Sequence, residues 1–138
     1  MDDAAKKQRG LVLVLRILGT GDLLAVLAVF LPLEWMSKVH SWLGMGALPE
    51  QPIINYLTRS ASALYAVHGA MLLFVSTDVR RYAPLIKFLA VVALIHGVGL
   101  YLIDMSAGMP GFWVAVEGPT VAAAGTVVLM LQREERSY

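Results

Sequence analysis

Four apolar runs separated by short polar or Gly/Pro-rich stretches set the pattern of this chain: Leu11 to Leu33, Ile54 to Val75, Pro84 to Ile103 and Phe112 to Leu131. Each approaches the roughly 20 residues with which an α-helix crosses about 30 Å of hydrocarbon. The pattern therefore predicts an all-α protein, a four-transmembrane-helix bundle. Glu34 to Gly44 carries Trp35, Met36, Val39, Trp42 and Leu43 among polar residues, which predicts a short interfacial helix in the first outer loop with its tryptophans at headgroup depth. Its His40 is expected as a solvated surface histidine. Gly44, Gly46, Pro49 and Pro52 then break the chain. Pro84 suits the first turn of a third helix, and Ala107-Gly108-Met109-Pro110-Gly111 predicts a tight return into the fourth.

Small residues recur at helical spacing beside most of the ionisable ones. Asp22 shares a face with Gly19, Ala25 and Val29; Arg59 with Ser62, Ala63, Ala66 and Ala70; Asp104 with Ala93, Gly97 and Tyr101; Glu117 with Thr120 and Ala124. Small side chains let membrane helices approach closely, so these stripes are expected to face inward. His68 follows Arg59 by nine residues, which a regular wheel puts on the opposite side of that helix.

Composition agrees with the pattern. Of 138 residues 58% are hydrophobic and the mean hydropathy is +0.68, too apolar for an ordinary soluble domain and right for a single integral membrane domain over 1–138. Nine of eleven basic residues lie at the amino end, the second connection or the carboxyl end (Lys6, Lys7, Arg9, Arg16, Arg80, Arg81, Lys87, Arg133, Arg136). By the positive-inside rule both termini and the Arg80 connection are expected in the cytoplasm. Basic residues spread along membrane edges, rather than gathered in a groove with aromatics, argue against nucleic acid as a partner. The lipid bilayer is the expected partner, with a homo-oligomer or a larger membrane complex beyond it. The chain has no cysteine, which excludes disulfides, thiolate metal sites and cysteine nucleophiles. The first run is too long for a signal-peptide core and is read as a helix.

The chemistry lies in charges stranded at lipid depth. Trp113 to Leu131 carries Glu117, Gly118 and Pro119 in succession; a charged side chain near the bilayer centre costs about 2.5 to 3.5 kcal/mol on insertion scales. Asp22 lies eleven residues, about 16 Å of helix, from Leu11 and is too deep to reach the headgroups. Arg16 is shallower and can snorkel. The expected charge network is Arg59 paired with Glu117, with Asp22 as the member that takes up a proton, and Asp104 hydrated at the outer boundary. His68 and His96 each precede a glycine in an Ala66-Val67-His68-Gly69 and Leu94-Ile95-His96-Gly97 echo, and two histidines at one depth are candidate axial ligands for haem b, or candidate interhelical hydrogen-bond partners. No GxSxG, HExxH or phosphate-binding glycine loop is present, and no catalytic residue or metal ligand is assigned. These residues fit a non-enzymatic integral membrane binding or accessory subunit. The alternatives are a haem- or quinone-binding electron-transfer subunit and a small proton-coupled carrier.

Leu57-Thr58-Arg59-Ser60 opening the second helix, Ala107-Gly108-Met109-Pro110 after the third and Glu117 early in the fourth make the layout resemble the small DoxX-like bacterial membrane proteins. That resemblance implies a four-helix bundle in a bacterial inner membrane, and a link in some relatives to quinone-dependent respiratory or sulfur chemistry.

Overall fold

The computed structural model describes residues 3–133, with side chains over 5–132. The charged tail beyond Arg133, including Arg136, and the first two residues lie outside the described residues. Among those described, the regular structure is all helical: α1 (Asp3–Leu24), α2 (Val26–Phe30), α3 (Leu33–Trp42), α4 (Pro52–Val75), α5 (Ala83–Ala107) and α6 (Gly111–Arg133). Helices α1 and α2 are one interrupted helix. At the interruption Ala25 and Ala28 bond back three residues, to the Asp22 and Ala25 carbonyls at 3.1 and 3.0 Å, a local tightening of the α-helical ladder.

Among the described residues three helices, not four, are long and apolar enough to cross a membrane: Ala5–Phe30, Ala83–Ala107 and Gly111–Gln132. They are the mark of an integral membrane protein, but they correct the four-transmembrane-helix expectation. The dissenting element is α4. It has the length, but Asn55, Thr58, Arg59, Ser60, Ser62 and His68 interrupt its apolar content. Its hydroxyls turn inward on their own helix: Thr58 Oγ1 donates to the Ile54 carbonyl and Ser62 Oγ to that of Thr58 at 2.8 Å. The membrane-type helices also extend past the apolar runs, because helix formation needs no hydrophobic residue. Thus α1 begins eight residues before Leu11, inside the basic lead.

The chain divides into two compact units. One takes the described residues up to Arg16 together with those from Val75 onward. Its core holds Leu11, Leu15, Val75, Val79 and Ile86, each 2% exposed or less. Helices α5 and α6 run antiparallel in this unit, and their contact is made by small residues. A methyl built on Gly97 would lie 2.5 Å from the Ala122 backbone nitrogen and 2.6 Å from the Gly118 carbonyl oxygen, so the two backbones touch where a side chain cannot fit. The Ala93, Gly97, Tyr101, Asp104 stripe is the face of α5 at this contact. The turn between the helices is closed by Gly108, in the left-handed region at φ 68°, whose N–H bonds the Asp104 and Met105 carbonyls.

At the other end of this unit three basic stretches converge. Arg80 Nη2 donates to Gln8 Oε1 at 3.0 Å, and Gln132 Nε2 donates to the Ala83 carbonyl at 2.9 Å. The amino-terminal lead, the Asp78–Ala83 turn and the end of α6 therefore lie side by side.

The second unit is Ile17–Phe74. Gly19 of α1 and Gly69 of α4 meet here: a methyl on Gly69 would lie 2.5 Å from the Gly19 carbonyl oxygen. The face of α4 buried in this unit carries Ala66, Gly69 and Leu72, while Ala63 and Ala70 are exposed. The stripe expected from Arg59 through Ala70 is thus rotated, because contact with α1 selects Gly69 as the point of closest approach. The segment after α3 folds back on it. His40 Nδ1 and Ser41 Oγ bond the Gly46 carbonyl at 2.8 and 3.1 Å, so His40 closes a loop instead of standing free in solvent.

Candidate functional site

Among the described residues an ionisable pair stands next to the glycine crossing in each unit. In the second unit Asp22 follows Gly19 by three residues and His68 directly precedes Gly69, so the close approach of the glycines brings the two side chains together. His68 Nδ1 and Asp22 Oδ2 are 2.8 Å apart, with the side chains 43% and 33% exposed. The carboxylate fixes the ring's orientation and leaves Nε2 directed away from Asp22. A regular wheel groups His68 with Leu72 and Val75, which are buried, and off the small-residue stripe of Arg59; its ring edges that side of α4 and meets Asp22.

Arg59 serves a different purpose. Its Nη1 donates to the Val29 carbonyl, its Nη2 to the Leu31 carbonyl at 2.9 Å, and its Nε to Asn55 Oδ1 at 2.7 Å. Those carbonyls lie at the end of α2, just before Pro32, where no further helical N–H arrives to donate to them. A planar fork of donors suits two adjacent carbonyls as a point-charge ammonium does not. The guanidinium is committed to backbone within its own unit, so the expected Arg59–Glu117 pair is not what either residue uses. Arg59 is a helix-end clamp.

In the first unit Glu117 finds its partners on α5 and α6. Trp113 Nε1, one turn earlier on α6, donates to Glu117 Oε2 at 2.5 Å, and the Trp113 ring meets Phe112 edge to face at 6.3 Å. Glu117 also neighbours the Asp104 carboxyl and the His96 ring of α5. Helix register explains the approach. Gly118 packs on Gly97 and Tyr101, Glu117 precedes it by one residue, and Asp104 lies one turn beyond Tyr101.

Asp104 is the unexpected member. Read from its place near the end of the third apolar run it should be hydrated, yet it is 5% exposed, and its Oδ2 is buried without a hydrogen-bond partner. It lies one turn beyond the Tyr101–Gly118 contact, and its backbone carbonyl receives the Gly108 and Met109 N–H groups at the turn. A buried carboxyl oxygen with no donor, beside a second carboxyl, is an unfilled demand for positive charge or an N–H or O–H donor.

Sequence reasoning named Asp22, Arg59, His68, His96, Asp104 and Glu117 individually and paired them differently. Trp113 was legible as a donor, since it stands four residues before Glu117 and that spacing places both on one helix face. No comparable signal joins Asp22 to His68 across 46 residues. His96 is exposed on α5. No group of three or more His, Cys, Asp or Glu side chains that would hold a metal ion occurs among the described residues. Comparison with family models, with curated proteins and with solved structures finds no match to this chain.

Proposed function

We propose that this chain is a non-enzymatic integral membrane binding or accessory subunit whose ligand station is the Asp104–Glu117 pair beside the α5–α6 turn. The observation that carries the reading is the orphaned, buried Asp104 Oδ2 next to Glu117. A small polar ligand or partner side chain that presents a cation or a hydrogen-bond donor satisfies it, and Trp113 holds Glu117 in position to join the contact. Large apolar side chains exposed along α5 and α6, including Phe88, Ile95, Leu102 and Val116, suit lipid or further subunits of a larger membrane complex.

The test is isolation of the full-length protein from membranes in mild detergent, followed by native mass spectrometry. A retained ligand or partner that is lost in D104N and E117Q variants supports the proposal. A bare chain whose mass and thermal stability are the same in parent and variants overturns it.

The membrane proposed is a bacterial inner membrane, the setting that the DoxX-like resemblance implies, with the basic end of the first unit on the cytoplasmic side. Support for that orientation comes from the convergence of basic stretches around Gln8, Arg80 and Ala83. The absence of cysteine permits a clean assay. A Gln8→Cys variant should resist an impermeant maleimide in spheroplasts, and a Met109→Cys variant at the opposite turn should react.

A second reading, an electron-transfer subunit with haem b or a quinone, rests on one observation. His68 has Nδ1 on Asp22 and Nε2 turned away, the arrangement in which a carboxylate orients a ligating imidazole. A Soret band in the purified protein that disappears with His68→Ala or His96→Ala supports this reading; a colourless preparation from haem-replete cells removes the haem form of it.

A further inference from the structure

Asp104 and Glu117 offer a ligand acceptors. Asp104 is 5% exposed, and its Oδ2 is buried without a hydrogen-bond partner. Glu117, its neighbour on α6, has one oxygen, Oε2, on the Trp113 N–H at 2.5 Å. An indole carries that single donor, so Trp113 has none left for Asp104. A group that fits beside the two carboxyls therefore brings donors and needs none in return.

That requirement sorts ligands by chemistry. A hydroxyl or an amide adds an acceptor of its own, for which the pair has no donor. A quaternary ammonium has the charge but no N–H for the Asp104 oxygen. A hard cation such as calcium takes about six to eight oxygen ligands, and no group of three or more metal-ligating side chains occurs among the described residues. A guanidinium spreads its donors over a planar fork, whereas Asp104 leaves one buried oxygen to satisfy. A primary ammonium has three donors, no acceptor and its charge on one heavy atom. It meets every condition.

The surroundings of the pair are apolar. Met105, next to Asp104, and Val116, next to Glu117, are 57% and 54% exposed. Glu117 itself is half-buried, so the pair is accessible through it. Asp104 also lies one helical turn from Gly108, at the end of the membrane-type helix Ala83–Ala107, and the end of a membrane span is where lipid headgroups lie.

We propose, on the reading of Asp104 and Glu117 as a ligand station, that the ligand presents a primary ammonium carried on hydrocarbon. The ammonium donates to Asp104 Oδ2 and to the Glu117 carboxylate. Two sources share this chemistry, a phosphatidylethanolamine headgroup and a free alkylamine.

The experiment uses the full-length protein in detergent and native mass spectrometry, with two matched pairs of probes. Octylammonium is compared with octyltrimethylammonium, and dioctanoyl phosphatidylethanolamine with dioctanoyl phosphatidylcholine, so that trimethylation removes the N–H donors and keeps the charge. In at least one pair the primary ammonium should be retained at concentrations about tenfold below those its trimethylated counterpart requires. Retention of phosphatidylethanolamine alone assigns the site to a lipid headgroup, and retention of octylammonium assigns it to a free amine. D104N and E117Q should each weaken retention about tenfold, since each removes a charge-assisted bond, while E50Q, which removes an exposed carboxylate outside the pair, leaves it unchanged. Should D104N fail to fold, E117Q and W113F read the same site. Equal retention of primary and trimethylated probes in both pairs, indifference to D104N and E117Q, or an equal loss in E50Q overturns the ammonium assignment. A native ligand lost in D104N and E117Q alongside such a result leaves the station standing and removes only the ammonium; a bare chain that retains no probe removes both.

Discussion

His68 Nδ1 lies 2.8 Å from Asp22 Oδ2, and the two residues flank the crossing of Gly19 and Gly69. The second close crossing, Gly97 on Gly118, is flanked in turn by Asp104 and Glu117. In both units the absence of a side chain on glycine governs which ionisable groups meet, because backbone contact at the glycine sets the register of everything one turn away.

Breaking the His68–Asp22 pair should cost a modest amount. Interhelical hydrogen bonds in membrane proteins average about 0.6 kcal/mol and reach about 1.7, and both side chains are partly exposed. H68A and D22N should each lower stability within that range, and the double variant should lose little more than either single one. Denaturant titration in micelles, arranged as a double-mutant cycle, measures this. Fully additive losses would mean that the contact contributes nothing.

The glycine crossings should tolerate nothing larger. Gly118→Ala places a methyl 2.5 Å from the Gly97 carbonyl oxygen, a clash with backbone that only separation of α5 and α6 relieves. A cost of about 1 to 3 kcal/mol is expected for such overpacking. Gly99 provides the control, since a methyl there meets nothing within 4 Å. Gly99→Ala should be stabilising by about 0.5 to 1 kcal/mol, through helix propensity alone. Thermal melts of the two variants should therefore shift in opposite directions.

Arg59 should reveal its role through local exchange. With R59Q the carbonyls of Val29 and Leu31 lose their donors, and hydrogen bonds to a charged group contribute about 1.5 to 3 kcal/mol. Amide hydrogen exchange should accelerate over Val26–Leu31 while α5 and α6 keep their protection. R59K should repair this only in part, because one ammonium cannot span two carbonyls and Asn55 as the fork does. Unchanged protection at α2 in R59Q would refute the clamp.

Trp113 and Glu117 form one unit, with a 2.5 Å bond across a single helical turn. W113F keeps an aromatic ring and removes the donor, so it should weaken ligand retention in the native-mass assay in the same direction as E117Q. The W113F/E117Q double variant should lose no more than E117Q alone. Independent, additive losses would show that Trp113 acts by packing only.

The elements were legible from the chain itself, and the reason is local. A helix satisfies its backbone within four residues, so runs of apolar residues ended by Gly and Pro announce α5, α6 and the Ala5–Phe30 segment wherever they occur. The same locality explains the overreach at α4. Its length and apolar ends read like a span, whereas Asn55, Thr58, Arg59 and Ser62 together carry it below the composition that crossing requires. Pairing was decided elsewhere. Depth and helical wheels put Arg59 with Glu117 and left His68 apart, but neither treats the backbone as an object that touches another backbone. Only tertiary packing could place Gly19 on Gly69 and Gly118 on Gly97, and those contacts turned His68 to Asp22, closed Asp104 away from water beside Glu117, and left Arg59 to the open end of α2. Sequence by itself determined which segments are helices and which residues carry charge at membrane depth; tertiary structure decided which charges meet, since that depends on registers set by contacts tens of residues apart.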